Sequence, residues 1–214
     1  MTSDSHIVHI VDDDARIREA LGELLAAHGM HAAVYASAGE YVRAEKPDAP
    51  ACLILDVELP DINGLDLQNQ IAGADHPPIV FVTGHGDIPS SVRAIKRGAV
   101  DFLTKPFSDA DLMRAIDTAL ALDRRARADR ADMAKLRRRY EDLTPRERDV
   151  LPLVVSGLLN KQAAAELGIS EVMLQIHRRN VMQKTGAASL ADLVRIAERL
   201  QIPVTHSRRG DPSS

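Results

Sequence analysis

Ala51-Cys52-Leu53-Ile54-Leu55-Asp56, running on into Val57-Glu58-Leu59-Pro60-Asp61-Ile62-Asn63-Gly64, is the stretch on which the reading of this chain turns. A short apolar run bounded by turn residues reads as a strand buried on both faces. It ends in a carboxylate, and the loop that follows carries a proline and a glycine. In open parallel α/β sheets, functional side chains gather at the carboxyl ends of strands, so Asp56 stands where chemistry is usually found. Taken alone, Asp56 serves as well as a helix cap or turn residue. Its neighbours in the chain decide between the two.

Before this strand, His6-Ile7-Val8-His9-Ile10-Val11 is a first apolar run, and it too ends in acid, Asp12-Asp13-Asp14. Ala15 to His28 follows with Ile17, Leu21, Leu24 and Leu25 at helical spacing and Gly29 as its stop. His31 to Tyr35 reads as a short strand, and Ser37 caps a helix to about Glu45. After the central strand come a helix from Leu65 to about Ile71 and a fourth apolar run, Ile79-Val80-Phe81-Val82-Thr83. The loop Gly84-His85-Gly86-Asp87 leads to a helix from Ser90 to Arg97, stopped by Gly98. Asp101-Phe102-Leu103-Thr104 is a fifth strand, closed by Lys105-Pro106-Phe107, and Ser108 begins a helix with Leu112, Ile116 and Leu120 on one face. Five strands alternating with five helices predict an α/β, flavodoxin-like, doubly wound five-stranded parallel sheet.

Right-handed crossovers put every carboxyl end on one edge of that sheet. The edge then collects Asp12, Asp13, Asp56, Thr83 and Lys105. Carboxylates this close repel one another, and a hard divalent cation with oxygen ligands relieves the repulsion; Mg²⁺ suits one or two carboxylates, water and a phosphate oxygen. A carboxylate can attack phosphorus to give an aspartyl phosphate. A lysine charge and a threonine hydroxyl then hold the phosphoryl oxygens.

Val11-Asp12-Asp13, Leu55-Asp56 with Pro60 and Gly64, Thr83-Gly84 and Lys105-Pro106-Phe107 resemble, in order and spacing, the receiver domain of two-component response regulators. The resemblance implies Asp56 as phosphoacceptor. It implies Mg²⁺ on Asp13, Asp56 and the main-chain oxygen of Glu58, with Asp12 acting through water. Thr83 and Phe102 would be the switch pair, and Lys105-Pro106 a cis bond. A hydrolase using Asp56 as nucleophile fits poorly, because no second carboxylate is placed as acid/base. The chain is read as a non-enzyme.

Residues 121–142 contain neither glycine nor proline. They read as a charged helical linker that continues the preceding helix. A solvated charged helix is the favoured reading of the stretch, although Met133, Leu136, Tyr140 and Leu143 fall at alternating spacings of three and four, as a short coiled-coil seam pairing two copies would.

Leu143-Thr144-Pro145-Arg146-Glu147 opens a second domain with a capping signature: Thr144 as N-cap, Pro145 at N1, Glu147 at N3. Asn160 to Leu167 is a helix, Gly168 the turn, and Ser170 caps a helix to about Lys184; a last helix starts near Ser189. Helix, tight glycine turn, helix is a helix-turn-helix pattern. Pro152 falls inside the domain's first helix, where proline costs about 3 kcal/mol. Leu143-Thr144-Pro145-Arg146-Glu147-Arg148, Gly157-Leu158-Leu159-Asn160-Lys161, Leu167-Gly168-Ile169-Ser170 and His177-Arg178-Arg179-Asn180-Val181-Met182 resemble the LuxR-type helix-turn-helix. With a receiver before it, residues 6–203 are similar to NarL/FixJ-type response regulators. The resemblance places the third helix in the DNA major groove, with Gln175, Ile176 and Arg179 on base edges and Lys161, Arg178 and Lys184 near phosphates. Three departures make this helix less basic than the family's usual one: Val172, Met173-Leu174 in place of Thr-Val, and Gln175 in place of Lys or Glu.

Charge agrees with a division of labour. The formal charge is −4. Residues 1–122 carry 9 Lys+Arg against 19 Asp+Glu, residues 123–142 carry 8 against 5, and residues 143–214 carry 10 against 7. An acidic first part joined to a basic remainder suggests that the second part meets a polyanion. With one cysteine, Cys52, an internal disulfide or a cysteine metal cluster is excluded. No apolar run nears the roughly 18 residues of a membrane helix, and the first residues lack the pattern of a signal peptide. A cytoplasmic protein without membrane contact is expected.

The sequence thus predicts a receiver over 1–122, a helical linker over 123–142 and a helix-turn-helix domain over 143–214. The expected function is transcription control, in which a partner histidine kinase phosphorylates Asp56 and the protein dimerises and binds double-stranded promoter DNA, with RNA polymerase a further partner. A second reading makes the chain a phosphorylation-responsive module whose helix-turn-helix contacts protein instead of DNA.

Overall fold

The computed structural model describes residues 6–72, 76–84 and 88–203. The loop residues His85-Gly86-Asp87 and the first five residues of the chain, mentioned above, lie outside the described residues. The chain divides into two compact units, 1–127 and 128–214.

The first unit alternates strand and helix: β1 (Ile7–Val11), α1 (Ala15–Ala27), β2 (His31–Tyr35), α2 (Ala38–Arg43), β3 (Ala51–Asp56), α3 (Gly64–Ile71), β4 (Ile79–Thr83), α4 (Ile88–Lys96), β5 (Asp101–Thr104) and α5 (Asp109–Glu141), whose last residues belong to the second unit. The strands pair in parallel in the order β2-β1-β3-β4-β5. β3 is therefore central, and all six of its residues are buried. Its side chains alternate between two cores, as the period of two requires. Cys52 and Ile54 join Val8, Ile10, Val80 and Val82 beneath Leu21, Leu25, Leu112 and Ile116. Leu53 and Leu55 join Val11, Ile79 and Phe81 against Tyr41, Leu65, Leu67 and Ala94. Each fully buried Val, Leu, Ile or Phe among these contributes about 1.5–3 kcal/mol by leaving water. A one-residue slip of β3 would exchange its whole set between the faces. The register is thereby fixed, and with it the place of Asp56.

The inner face of α5 buries Leu112, Ala115, Ile116, Ala119, Leu120 and also Asp123. The Asp123 carboxylate accepts a hydrogen bond from the Ala51 N–H at 2.8 Å and one from Arg127 Nε at 2.7 Å. Arg127 in turn pairs with Asp48. Residues 123 and 127, read from sequence as the start of the linker, are thus fastened to the leading edge of β3.

The second unit holds the end of α5 with α6 (Pro145–Val155), α7 (Asn160–Leu167), α8 (Glu171–Thr185) and α9 (Leu190–Arg199). The capping box closes as the residue pattern requires. Glu147 N–H donates to Thr144 Oγ1 at 3.3 Å, and Thr144 N–H donates to Glu147 Oε2 at 2.8 Å. Gly168, with φ of 64°, makes the left-handed turn between α7 and α8. Tyr140 and Leu143, half of the heptad-like spacing noted in the sequence, pack into this unit's own core with Val150, Leu151, Leu174, Val181 and Leu193. Their periodicity is accounted for within one chain. α6 continues through Pro152, whose carbonyl receives the Ser156 hydroxyl at 2.6 Å.

Candidate functional site

The carboxyl ends of β1, β3, β4 and β5 bring Asp12, Asp13, Asp56, Thr83 and Lys105 to one edge of the sheet, as the strand order requires. Asp12, Asp13 and Asp56 each offer a carboxylate oxygen within 4.8 Å of the others, with Asp12 and Asp56 buried and Asp13 exposed. Lys105 Nζ bridges the two buried acids, 2.7 Å from Asp12 Oδ2 and 2.6 Å from Asp56 Oδ2. The second oxygen of each is held by backbone: Asp14 N–H donates to Asp12 Oδ1 and Glu58 N–H to Asp56 Oδ1, both at 2.9 Å. These bonds fix both carboxylates in orientation.

Burial pushes the Asp12 carboxyl above the usual carboxylate range, against the hydrogen bond and charge of Lys105. Burial also works to lower Lys105, but its hydrogen bonds to Asp12 and Asp56 carry it above the ordinary lysine value. The ammonium therefore stays charged. Among the described residues Lys105 is the cation bonded to these carboxylates, while Arg18 meets the Asp12 main-chain oxygen at 2.6 Å, so the three acids still present hard oxygen donors with negative charge to spare. That donor set fits Mg²⁺ and no soft metal.

The loop after Asp56 is shaped by the residues that mark it in the sequence. Glu58 and Asn63 form an antiparallel bridge, and Gly64 N–H donates to the Val57 carbonyl at 2.8 Å. A Cβ on Gly64 would stand 2.3 Å from the Asp56 carbonyl oxygen, so only glycine fits this approach. Asp61, which sequence reading assigned no task, reaches α2 and accepts from the N–H groups of Gly39 at 2.9 Å and Ala38 at 3.4 Å. The Gly39 bond is the chief reason its carboxyl sits below the usual range. Asp at a helix N-terminus is a familiar signal, but this one arrives from 22 residues away in sequence, out of reach of a local pattern.

Thr83 ends β4 fully buried, and its carbonyl accepts from Lys105 N–H at 2.8 Å. Phe102, half-buried on β5, lies opposite Phe81 with ring centroids 6.0 Å apart. The Lys105-Pro106 bond is cis.

In the second unit, Lys161, Gln175, Ile176 and Arg179 are exposed, Ile176 to 46 %. Arg178 is half-buried and donates to Asn160 Oδ1 at 3.0 Å, joining α8 to the first residue of α7. Lys184 differs from the expectation of a phosphate contact. Its ammonium is engaged by Glu147 Oε2 at 2.7 Å and by the Asp142 carbonyl at 3.2 Å, so it links α8 to the start of α6. Arg139 donates to the Thr185 carbonyl at 3.1 Å, a cation at the C-terminal end of α8.

The comparisons with known proteins agree with both halves of this description. Residues 8–117 match the family described as response regulator receiver domain, and residues 141–197 match that of bacterial regulatory proteins, luxR family. Nodulation protein W of Bradyrhizobium diazoefficiens is 46 % identical over 204 residues, 95 % of this chain and 90 % of that protein. Response regulator protein TmoT of Ectopseudomonas mendocina is 44 % identical over 202 residues, 94 % and 92 % of the two chains. Among solved structures, response regulator StyR superposes with a TM-score of 0.80 at 42 % identity, covering 91 % of this chain and 99 % of that one. Full-length FixJ from B. japonicum gives 0.55 at 37 % identity, covering 94 % and 100 %. With an acid cluster at the sheet edge, a helix-turn-helix beyond it and relatives that match nearly end to end, the chain belongs to the transcriptional response regulators that join a receiver domain to a LuxR-type DNA-binding domain.

Proposed function

We propose that Asp56 is the phosphoacceptor of this response regulator and that its phosphorylation by a histidine kinase controls binding of the second unit to promoter DNA. One observation carries the assignment. Lys105 Nζ contacts Asp56 and Asp12 at once. Of the two, Asp56 is the last residue of the central strand, set against the acid pair Asp12-Asp13, and is the position that the receiver resemblance gives as acceptor. An Asp56 oxygen attacks phosphorus, and the bond from phosphorus to the donor's leaving atom breaks with its electron pair. Lys105 would then meet the new phosphoryl oxygens, with the Thr83 hydroxyl as the second group to hold them. Asp13, Asp56 and the main-chain oxygen of Glu58 would hold Mg²⁺, with Asp12 acting through water. The ion, when bound, screens the negative charge of the acids and of the incoming phosphoryl group.

Thr83 and Phe102 would pass the change to the face of α4 and β5, where Val92 and Ile95 are exposed apolar side chains that a second copy could cover. Pairing by symmetry then brings two helix-turn-helix units to paired half-sites about one helical turn apart. In each, Gln175, Ile176 and Arg179 would meet base edges, while Lys161 and Arg178 lie near phosphates. Lys184 is better explained as a brace for α8. RNA polymerase at the promoter would receive the result.

The test is to incubate the protein with a small phosphodonor and Mg²⁺ and to map the acid-labile adduct by mass spectrometry. The adduct should sit on Asp56, and Asp13→Ala should lose both labelling and its dependence on Mg²⁺. Full labelling of Asp56→Asn would sink the assignment.

A further inference from the structure

Val172 and Ile176 leave the surface of α8 with 66 % and 46 % of their area exposed, where a soluble helix would ordinarily present polar groups. At about 100° per residue, Val172, Gln175, Ile176 and Arg179 share an arc of roughly 100°. Leu174, Val181 and Thr185, which are 0 %, 0 % and 1 % exposed, lie on the opposite side and anchor the helix to its own core. The fold therefore turns this mixed face outward. It contains two aliphatic side chains, two amides (Gln175 and, further along, Gln183) and one guanidinium, with half-buried Arg178 and the exposed carboxylate of Glu171 at its edge.

Charge complementarity names what covers such a face. Arg179 within the face and Arg178 at its edge outnumber the one carboxylate there, Glu171, so the partner carries net negative charge, yet its centre needs an apolar group to receive Val172 and Ile176. Duplex DNA supplies both. Its phosphates meet the positive charge, and its major groove displays one apolar group, the C5 methyl of thymine. Recognition helices place their N-terminal residues on base edges, and Val172 and Ile176 occupy the first two turns of α8. A rise of about 1.5 Å per residue carries Ile176 roughly 6 Å beyond Val172. At about 3.4 Å per base step, that separation spans about two base pairs.

We propose that Val172 and Ile176 read the C5 methyl groups of two thymines in each half-site, within about two base pairs of one another. This rests on the DNA-binding reading above and adds to it a chemical determinant that carries no hydrogen bond. Gln175, between the two aliphatic residues, then faces adenine on the A·T pairs they select, and Arg179 faces guanine further along the helix. A serine at position 172 or 176, with no methyl of its own, would be blind to that group.

The experiment uses the full chain, treated with phosphodonor and Mg²⁺. A random pool of DNA duplexes is enriched for binding, and the recovered duplex is resynthesised with uracil for thymine, one position at a time. Uracil keeps every hydrogen-bonding group and lacks only the methyl. Two positions in each half-site should each weaken binding about fourfold, and both together more than tenfold, from the loss of one buried methyl at each. Val172→Ser should abolish the sensitivity at one position and Ile176→Ser at the other. Both side chains are exposed, so the fold tolerates the changes, and a circular dichroism spectrum checks it. Uracil tolerated at every thymine, while Arg179→Ala still weakens binding, would overturn the methyl assignment and leave base reading in place. Undiminished uracil sensitivity in the Val172→Ser/Ile176→Ser double variant would also overturn it. A pool that enriches no duplex would overturn the DNA reading itself, and the methyl assignment with it.

Discussion

Lys184 Nζ stands 2.7 Å from Glu147 Oε2 and ties the last turn of α8 to the first turn of α6. Glu147 is 2 % exposed and also completes the capping box with Thr144. Burial alone would raise its carboxyl, but hydrogen bonds from Lys184 and from Thr144, with the charge of Lys184, bring it down to about 2. Lys184→Ala should therefore act on stability before it acts on DNA. Removing the cation leaves a buried carboxylate short of a partner, at a cost of about 1–3 kcal/mol, and the second unit's urea midpoint should fall accordingly. The sign with pH is set by the depressed carboxyl. Its contribution is complete above the ordinary value near 4.5 and drains away as pH falls toward 2. Urea titrations from pH 6 to pH 3 should show the wild type and Lys184→Ala converging.

Gly64→Ala should damage the acceptor site without touching a carboxylate. The added Cβ meets the Asp56 carbonyl oxygen at 2.3 Å, and that oxygen is backbone of the central strand. Something must move, and the loop from Val57 to Asn63 is freer than β3. Its displacement would pull the Glu58 N–H away from Asp56 Oδ1. The expected outcome is a loss of about 1–3 kcal/mol in stability, with a lower rate of labelling by a small phosphodonor. Unchanged labelling would show that the Glu58 contact does not position the acceptor.

The parts of this molecule that could be read in advance are those whose physics is local or periodic. Buried strands such as Ala51–Asp56 announce themselves by apolar runs, and parallel order then forces Asp12, Asp56 and Lys105 to one edge. The capping box at Thr144 and Glu147 is written within four residues. What could not be read are contacts that join distant segments through polar atoms. Asp123 looked like one more charge in a charged helix, yet it is buried against the Ala51 N–H. Lys184 looked like a cation available to phosphate, and only the packing of α6 on α8 supplies its carboxylate. Tyr140 and Leu143 show the limit of spacing alone: they pack in the second unit's core. Spacing shared by a paired seam and an intramolecular core does not say which is present.

His9, on β1 three residues before the acid pair, is buried at 1 % exposure among Tyr35 and Tyr41, with Nδ1 3.1 Å from the Tyr35 hydroxyl. Burial, assisted by the charge of Lys46, lowers it to about 4. A histidine depressed in the fold contributes stability that is whole above about 6.5 and is lost as pH falls through 4. The unfolded chain takes up a proton over that window and the folded one refuses it. The slope attributable to one proton is about 1.4 kcal/mol per pH unit. Unfolding of the first unit, followed by tyrosine absorbance, should lose stability more steeply between pH 6.5 and 4 in the wild type than in His9→Gln. Equal slopes would place the proton uptake elsewhere.

Pro152→Ala should stabilise the second unit. Pro152 sits within α6 and lacks the N–H that would meet the Arg148 carbonyl, while α6 continues helical through it to Val155. Interior proline costs about 3 kcal/mol relative to alanine. Because local adjustment has recovered part of that, a gain of about 1–2 kcal/mol is expected, read as a higher Tm. A lower Tm would mean that the ring's packing on its half-buried face outweighs the missing bond.

Lys161 and Arg179 should separate attraction from reading. Residues 143–214 carry a net charge of only +3, so binding to an arbitrary duplex should be modest and should fall as salt rises and the gain from releasing counterions shrinks. Lys161 is the second residue of α7 and is exposed, so on the DNA-binding reading its charge serves phosphate rather than base edges. Lys161→Ala should weaken every duplex by the same factor and reduce the slope of log affinity against log salt by about 1. Arg179 lies on the outward arc of α8. Arg179→Ala should cost about 1–3 kcal/mol on an enriched duplex and relax the base preference at one position. Arg178, held by Asn160, should behave as a third case: Asn160→Ala frees its guanidinium, and affinity should change without any change in the preferred sequence. Anisotropy titrations at several salt concentrations resolve all three variants. A base preference that survives Arg179→Ala intact, with affinity unaltered, would show that α8 does not read the groove through this face.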